Sequence, residues 1–230
     1  MQQNHSDASK KTKSYWWHSF FDTWGPISLT VLLYAGIRHF IAEARYIPSG
    51  SMLPGLKVND RLIVEKLTLR NRAPFRGEVV VFNSPYAFDK KLIADRQTRL
   101  PSKIKCSLVT FPLISLIPTF TDRACDAYIK RVIAVGGDRL LINAKGSIVL
   151  NGRSIDEPYV KFFCSKKAEL NLCGPITTTI PKGHVFVLGD NRANSWDSRF
   201  WPDGGFLGEK EIIGKASWRF WPISRFGKLN

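Results

Sequence analysis

At 230 residues, with 44% hydrophobic and 23% charged residues and no repeat or low-complexity tract, the chain has the composition of a folded protein with room for a short anchor and one or two modest domains. Its formal net charge of +15 is spread along the sequence and no nucleic-acid module pattern accompanies it, so an anionic membrane surface explains the excess more simply than nucleic acid does. The four cysteines form no Cys-x-x-Cys and no Cys/His cluster at ligand spacing, which argues against zinc; no metal or cofactor is expected.

Residues 1–13 are polar, with Lys10, Lys11 and Lys13 close together, and read as a tail. An aromatic crowd follows (Tyr15, Trp16, Trp17, Phe20, Phe21 and Trp24), of the kind found at membrane interfaces. The uncharged run Thr23 to Ile37 makes only about 22 Å of helix against a hydrocarbon core of roughly 30 Å. A spanning helix therefore needs Trp16 to Ala42, with Arg38 snorkelling or facing protein. No small-x-small site precedes the folded part cleanly, so an uncleaved anchor is expected over a signal peptide, and a buried soluble helix is the other alternative. The lysine cluster favours a cytoplasmic N-terminus, a vote weakened by Arg38, Arg45 and Lys57 on the other side.

Next comes Ile47-Pro48-Ser49-Gly50-Ser51-Met52-Leu53-Pro54. Pro48 and Pro54 fix φ and remove backbone donors, while Gly50 allows close approach of another backbone or a ligand. Such a loop suits a hydroxyl nucleophile beside a donor, and it equally suits a plain turn; its surroundings decide.

Strand-like runs follow at Arg61–Leu67 and at Val79–Phe82 after the turn Arg76-Gly77. Between residues 84 and 126 regularity is lost, and the apolar run Cys106 to Phe120, cut by Pro112 and Pro118, is either an insertion packing on the core or a surface that dips into lipid. Tyr128–Val135 is another strand, ended by Gly136-Gly137-Asp138; Asn151-Gly152 signals a type I′ hairpin; His184–Leu188 and Ile212–Phe220 are further strands. Many short strands with few helical runs predict a mainly β, barrel-like or sandwich-like domain. In an exported domain Cys164 with Cys173 is the preferred disulfide, and Cys106 with Cys125 the second.

Serine chemistry needs a base and oxyanion donors. Of four histidines only His184 lies in the folded part, where a half-exposed strand-end role is the ordinary one. No Gly-x-Ser-x-Gly elbow occurs, and Ser102-Lys103-Ile104-Lys105 lacks the companion motifs of a Ser-x-x-Lys enzyme. Lysine can serve as base if burial strips its charge. Lys130, among Ile129, Val132 and Ile133, is suited to that, although composition alone does not select it from the other lysines.

Four stretches in this order, behind one anchor, resemble the type I signal peptidases, the membrane-anchored Ser/Lys endopeptidases. They are Pro48-Ser49-Gly50-Ser51-Met52, Arg76-Gly77-Glu78-Val79-Val80-Val81-Phe82, Tyr128-Ile129-Lys130-Arg131 leading to Gly136-Gly137-Asp138, and Gly189-Asp190-Asn191-Arg192-Ala193-Asn194-Ser195-Trp196-Asp197-Ser198-Arg199. The resemblance implies Ser51 as nucleophile and Lys130 as neutral general base. The Ser51 N–H and Ser49 hydroxyl would form the oxyanion hole, and Ser195 would hydrogen-bond and orient the Lys130 amine. Asp190 with Arg131, and Asp197 with Arg199, resemble structural ion pairs near the site. Ile47 and Ile129 match positions lining pockets for small substrate residues, with Met52 alongside. Ala193 stands where the family usually has Asp, and Gly55 where Thr is common.

The implied organisation is a cytoplasmic tail (1–15), a single anchor (16–43) and an extracytoplasmic antiparallel β domain (44–230) with a small variable insert, insertions falling near 84–127 and 143–182. The implied activity is removal of signal peptides from secretory preproteins at the lipid surface of a plasma (inner) or thylakoid membrane. The rivals are a hydrolase using Ser51, His184 and Asp190 or Asp197, and a non-enzymatic anchored β module.

Overall fold

Valine- and isoleucine-rich runs pair into two antiparallel sheets in a computed structural model of the chain, which describes residues 22–83, 127–161, 175–201 and 203–229. The larger sheet has the order β1 (Ala42–Tyr46), β2 (Arg61–Glu65), β11 (Ile212–Trp221), β3 (Val79–Asn83), β4 (Ala127–Val135), β9 (His184–Leu188), β10 (Leu207–Gly208), with β12 (Gly227–Lys228) paired to β11. The smaller sheet runs β7 (Arg153–Ser154), β6 (Ile148–Leu150), β5 (Arg139–Ile142), β8 (Ile176–Thr179). Three of its strands, β6, β7 and β8, fall within the region expected as an insertion near 143–182, while β5 precedes it.

Burial follows the pattern of each strand. In β2, Leu62 and Val64 are buried and Arg61 and Ile63 exposed, so one face meets the core. In β3, Val79, Val80, Val81 and Phe82 are all buried, as expected of an interior strand covered on both faces. One cluster joins Ile47, Met52, Leu56, Leu62, Val64, Val79, Val81 and Ile129; another joins Val80, Phe82, Val132, Val185, Val187, Trp201 and Leu207 across the same strands. A third, around Leu140, Ile142, Ile148 and Phe186, ties the smaller sheet to β9. Asn151 and Gly152 both take positive φ, 53° and 83°, at the predicted hairpin between β6 and β7.

Residues 22–36 form a helix, α1, continued by a π-helical turn, Ile37–Ile41; this part is a compact unit separate from Ala42–Asn230. Leu29, Leu32, Leu33 and Ile37 are exposed on it, and among the described residues no helix is long and apolar enough to cross a membrane. Ala42 and Glu43, expected at the end of the anchor, open β1 instead, paired with Glu65 and Val64. The strand's Ala-Glu-Ala-Arg-Tyr composition carries little β signal. Glu43 is nevertheless buried, reaching Lys66 at 2.8 Å, and pairing with β2 overrides propensity. The expectations for Cys106, Cys125, Cys164 and Cys173, for the 106–120 surface, and for residues 1–21 lie outside the described residues.

Leu62→Ala removes a fully buried side chain beneath the nucleophile loop and costs about 2–5 kcal/mol of stability. Leu141→Ala, at a 38% exposed position, stays within about 0.5 kcal/mol. Chemical denaturation of the two variants measures the contrast.

Candidate active site

Ser51 lies on a single 3₁₀ turn, Gly50–Met52, between the two prolines. Ile47 N–H donates to Asp60 O and Asn59 N–H to Ile47 O, closing the base of the loop, while Ile47 and Met52 sink into the core beside Ile129. The hydroxyl of Ser51 is thereby left at the edge of the apolar cluster, 8% exposed.

Lys130 reaches it from β4, an interior strand flanked by β3 and β9. The position pairs with Val80, and the residue is 3% exposed. Its Nζ donates to Ser51 Oγ at 2.9 Å and to the Ile129 carbonyl at 3.0 Å. Burial lowers its pKa from the ordinary 10.5 to about 8, against the pull of Asp197 and Asp190, which favour the charged form, and with help from Arg199. Neither carboxylate contacts the amine, because each is engaged by an arginine. Asp190 accepts two bonds from Arg131, at 2.9 and 2.8 Å, and Asp197 accepts from Arg199 at 2.8 and 2.9 Å while receiving the Gly189 N–H. Arg131 is further fixed over the Tyr159 ring, 4.2 Å from its centroid. Ser49 Oγ lies 3.4 Å from Ser51 Oγ. Among the described residues no group of three or more His, Cys, Asp or Glu side chains converges as a metal site would require.

A hydroxyl held on a dry amine of lowered pKa can support Ser/Lys chemistry. A family profile described as signal peptidase, peptidase S26, matches residues 21–221. The chain belongs to this family. A probable signal peptidase I-2 of Synechocystis sp. is 36% identical over 97% of this chain and 83% of the relative. A signal peptidase I of Leptolyngbya laminosa is 37% identical over 88% of this chain and 80% of the relative. A thylakoidal processing peptidase of Arabidopsis thaliana is 30% identical over 82% of this chain, which spans 44% of that protein.

Most of the residues expected from the signal peptidase resemblance gather here. Ser195 differs from expectation. Its Oγ is shielded from solvent with no hydrogen-bond partner, and Lys130 spends its contacts on Ser51 and Ile129 O. Ser195 instead packs on Gly189, where an added Cβ would fall 2.2 Å from Ser195 Oγ and 2.5 Å from the Ser51 carbonyl oxygen. His184 begins β9, five extended residues or roughly 16 Å from Gly189. Its Nδ1 lies 3.1 Å from Lys182 O and its ring meets Phe206 edge-on. With both aspartates held by arginines, the Ser/His/Asp alternative has no assembled triad.

Sequence reasoning missed the residues that hold the loop from behind. Asp60, only 1% exposed, accepts from Lys57 N–H and from Arg225, and Arg225 and Arg219 both donate to Gly55 O at 3.0 Å. An acidic residue six beyond the loop's closing proline was the available signal, but its arginine partners lie more than 150 residues away. At Gly55 itself a Cβ would stand 3.3 Å from Asp190 Oδ2, so the departure from Thr leaves room for Asp190 to keep its place.

Gly189→Ala forces Ser195 or the Ser51 carbonyl to move, and peptide-bond cleavage is expected to fall by about 100-fold. Turnover of a peptide substrate by the folded variant measures it.

Proposed function

We propose that the chain is a membrane-bound serine endopeptidase that removes N-terminal signal peptides from exported preproteins, cutting after small side chains. The observation that carries this reading is the 2.9 Å contact between a buried lysine and Ser51, within a chain matched along residues 21–221 to the signal peptidase family. In the neutral amine the same contact runs the other way, with the hydroxyl donating to the nitrogen lone pair. Ser51 Oγ attacks the scissile carbonyl carbon while Lys130 Nζ takes its proton. The Ser51 N–H and Ser49 hydroxyl receive the oxyanion charge. The C–N bond breaks as Lys130 returns the proton to the leaving amine, giving an acyl-Ser51 intermediate. A water deprotonated by Lys130 then releases the acyl group.

Ile47, Ile129 and Met52 form the buried apolar wall beside the nucleophile, and pockets walled in this way admit small side chains before the cut. The exposed apolar face of residues 22–41 favours a single N-terminal anchor (16–43, shortened here to end at Ile41), and Lys10, Lys11 and Lys13 ahead of it favour a cytoplasmic N-terminus with the β domain on the extracytoplasmic or lumenal side. Relatives named for bacteria and for the thylakoid support a plasma or thylakoid membrane as the site. Lipid at that boundary concentrates enzyme and substrate together.

Ser51→Ala and Lys130→Ala are expected to abolish cleavage of a model preprotein, and His184→Ala to leave it within about twofold of wild type. The opposite pattern, loss in His184→Ala with activity kept in Lys130→Ala, overturns the reading. With the Lys130 pKa at about 8, roughly a tenth of the enzyme carries the neutral base at pH 7. The rate is therefore expected to rise with pH through about 8 and then level off. A pH profile whose limb sits near the ordinary histidine value of about 6.5 contradicts it.

A further inference from the structure

Asn191 is bound to the nucleophile loop twice, and nothing in the chemistry above uses it. Its Nδ2 donates to Gly50 O at 3.1 Å, and its backbone N–H donates to Ser51 O at 3.0 Å. The residue is 7% exposed. Its other end, Oδ1, is shielded from solvent without a hydrogen-bond partner, a cost usually kept only where the group's placement matters.

A peptide unit is planar and trans, so its C=O and N–H point in opposite directions. Gly50 C=O and Ser51 N–H belong to one such unit. Anchoring the carbonyl on Asn191 Nδ2 points the Ser51 N–H in the opposite direction within the same plane, away from that amide. The second contact fixes the next unit, Ser51 to Met52, through the Ser51 carbonyl. One residue therefore holds the peptide planes on both sides of the nucleophile. Leu53 N–H also reaches Gly50 O, at 3.2 Å, but it belongs to the same short turn and moves with it. Asn191 comes from a separate segment that Asp190 ties to Arg131 on β4, next to Lys130. The clamp thus references the donor to the same strand that carries the base.

We propose that Asn191 is a positioning residue for the oxyanion hole: its side-chain amide sets the direction of the Ser51 N–H and so prepares that donor before substrate arrives. This rests on Ser51 and its N–H acting as stated above. Losing a direct oxyanion donor costs about 100- to 1,000-fold in turnover. A peptide merely released from its anchor still samples the productive orientation part of the time, so the effect of losing Asn191 is smaller, about 10- to 100-fold in kcat.

The test uses the whole chain in detergent micelles, with Asn191→Ala, which removes the side-chain contact and keeps the backbone one, and Asn191→Asp, which preserves shape but cannot donate. Five quantities are read. They are kcat and KM on a peptide substrate, the pH of the activity limb, and the affinities for a substrate-like peptide aldehyde and for the matching peptide amide. The aldehyde forms a tetrahedral adduct on a serine hydroxyl and calls on the oxyanion donors; the amide does not. Both variants are expected to lower kcat by about 10- to 100-fold with KM within about twofold and to weaken the aldehyde by a similar factor while leaving the amide unchanged; Asn191→Ala, which adds no charge, keeps the pH limb at about 8. The aldehyde-to-amide ratio is independent of the folded fraction, so a destabilised variant still reports. An unchanged ratio in both variants, or a shift of the pH limb in Asn191→Ala matching the lost rate, overturns the proposal. Ser51→Ala run alongside separates the cases: activity retained there removes the Ser/Lys reading itself, whereas an inactive Ser51→Ala beside a normal ratio in the Asn191 variants removes only the clamp.

Discussion

The site depends on one amine being kept out of water. Lys130 sits on an interior strand, and burial outweighs the attraction of two nearby carboxylates, bringing its pKa down to about 8. The balance survives because each carboxylate has its own arginine: Asp190 is spent on Arg131 and Asp197 on Arg199. A free aspartate in either place would pull the lysine back toward its charged form. The ion pairs therefore favour a neutral Lys130 by satisfying the acids, without contacting its amine.

The same burial affects stability. The folded-state pKa is depressed below the unfolded one, so between about 8 and 10.5 the unfolded chain holds a proton that the folded chain has released. Stability rises with pH across that window, and below it the fold carries the full expense of a desolvated ammonium. An active site made this way is stabilised elsewhere, by the covered valines of β3 and by the clusters on both faces of the large sheet.

Much of this was legible in the sequence where chemistry is local. The strands β2, β3, β4, β9 and β11 announce themselves as β-branched runs, and Asn151-Gly152 names its own turn. Ser51 and Lys130 could be paired only through resemblance to a family, because nothing within either stretch points to the other; they are 79 residues apart. The strand β1 was hidden because Ala-Glu-Ala-Arg-Tyr has no strand pattern until β2 supplies a partner and Lys66 covers Glu43. The ends of the loop clamp, Asn191 on Gly50 and Arg219 and Arg225 on Gly55, were equally hidden: an amide and two guanidiniums bonding to carbonyl groups leave no mark on composition or periodicity. The unbonded Ser195 hydroxyl is a matter of side-chain rotation that sequence does not encode.

The position of β11 bears on how the protein comes into being. That strand, Ile212–Trp221, is inserted between β2 and β3, and the guanidiniums that grip the Gly55 carbonyl sit on it and just past it. Ser51 is made well before β11, the strand that completes the sheet around it. Until then β2 and β3 each lack a neighbour and the loop has no grip from behind. A growing chain thus holds Ser51 without its full setting until β11 has been made, and the loop and its strand partners come together only with the completed sheet.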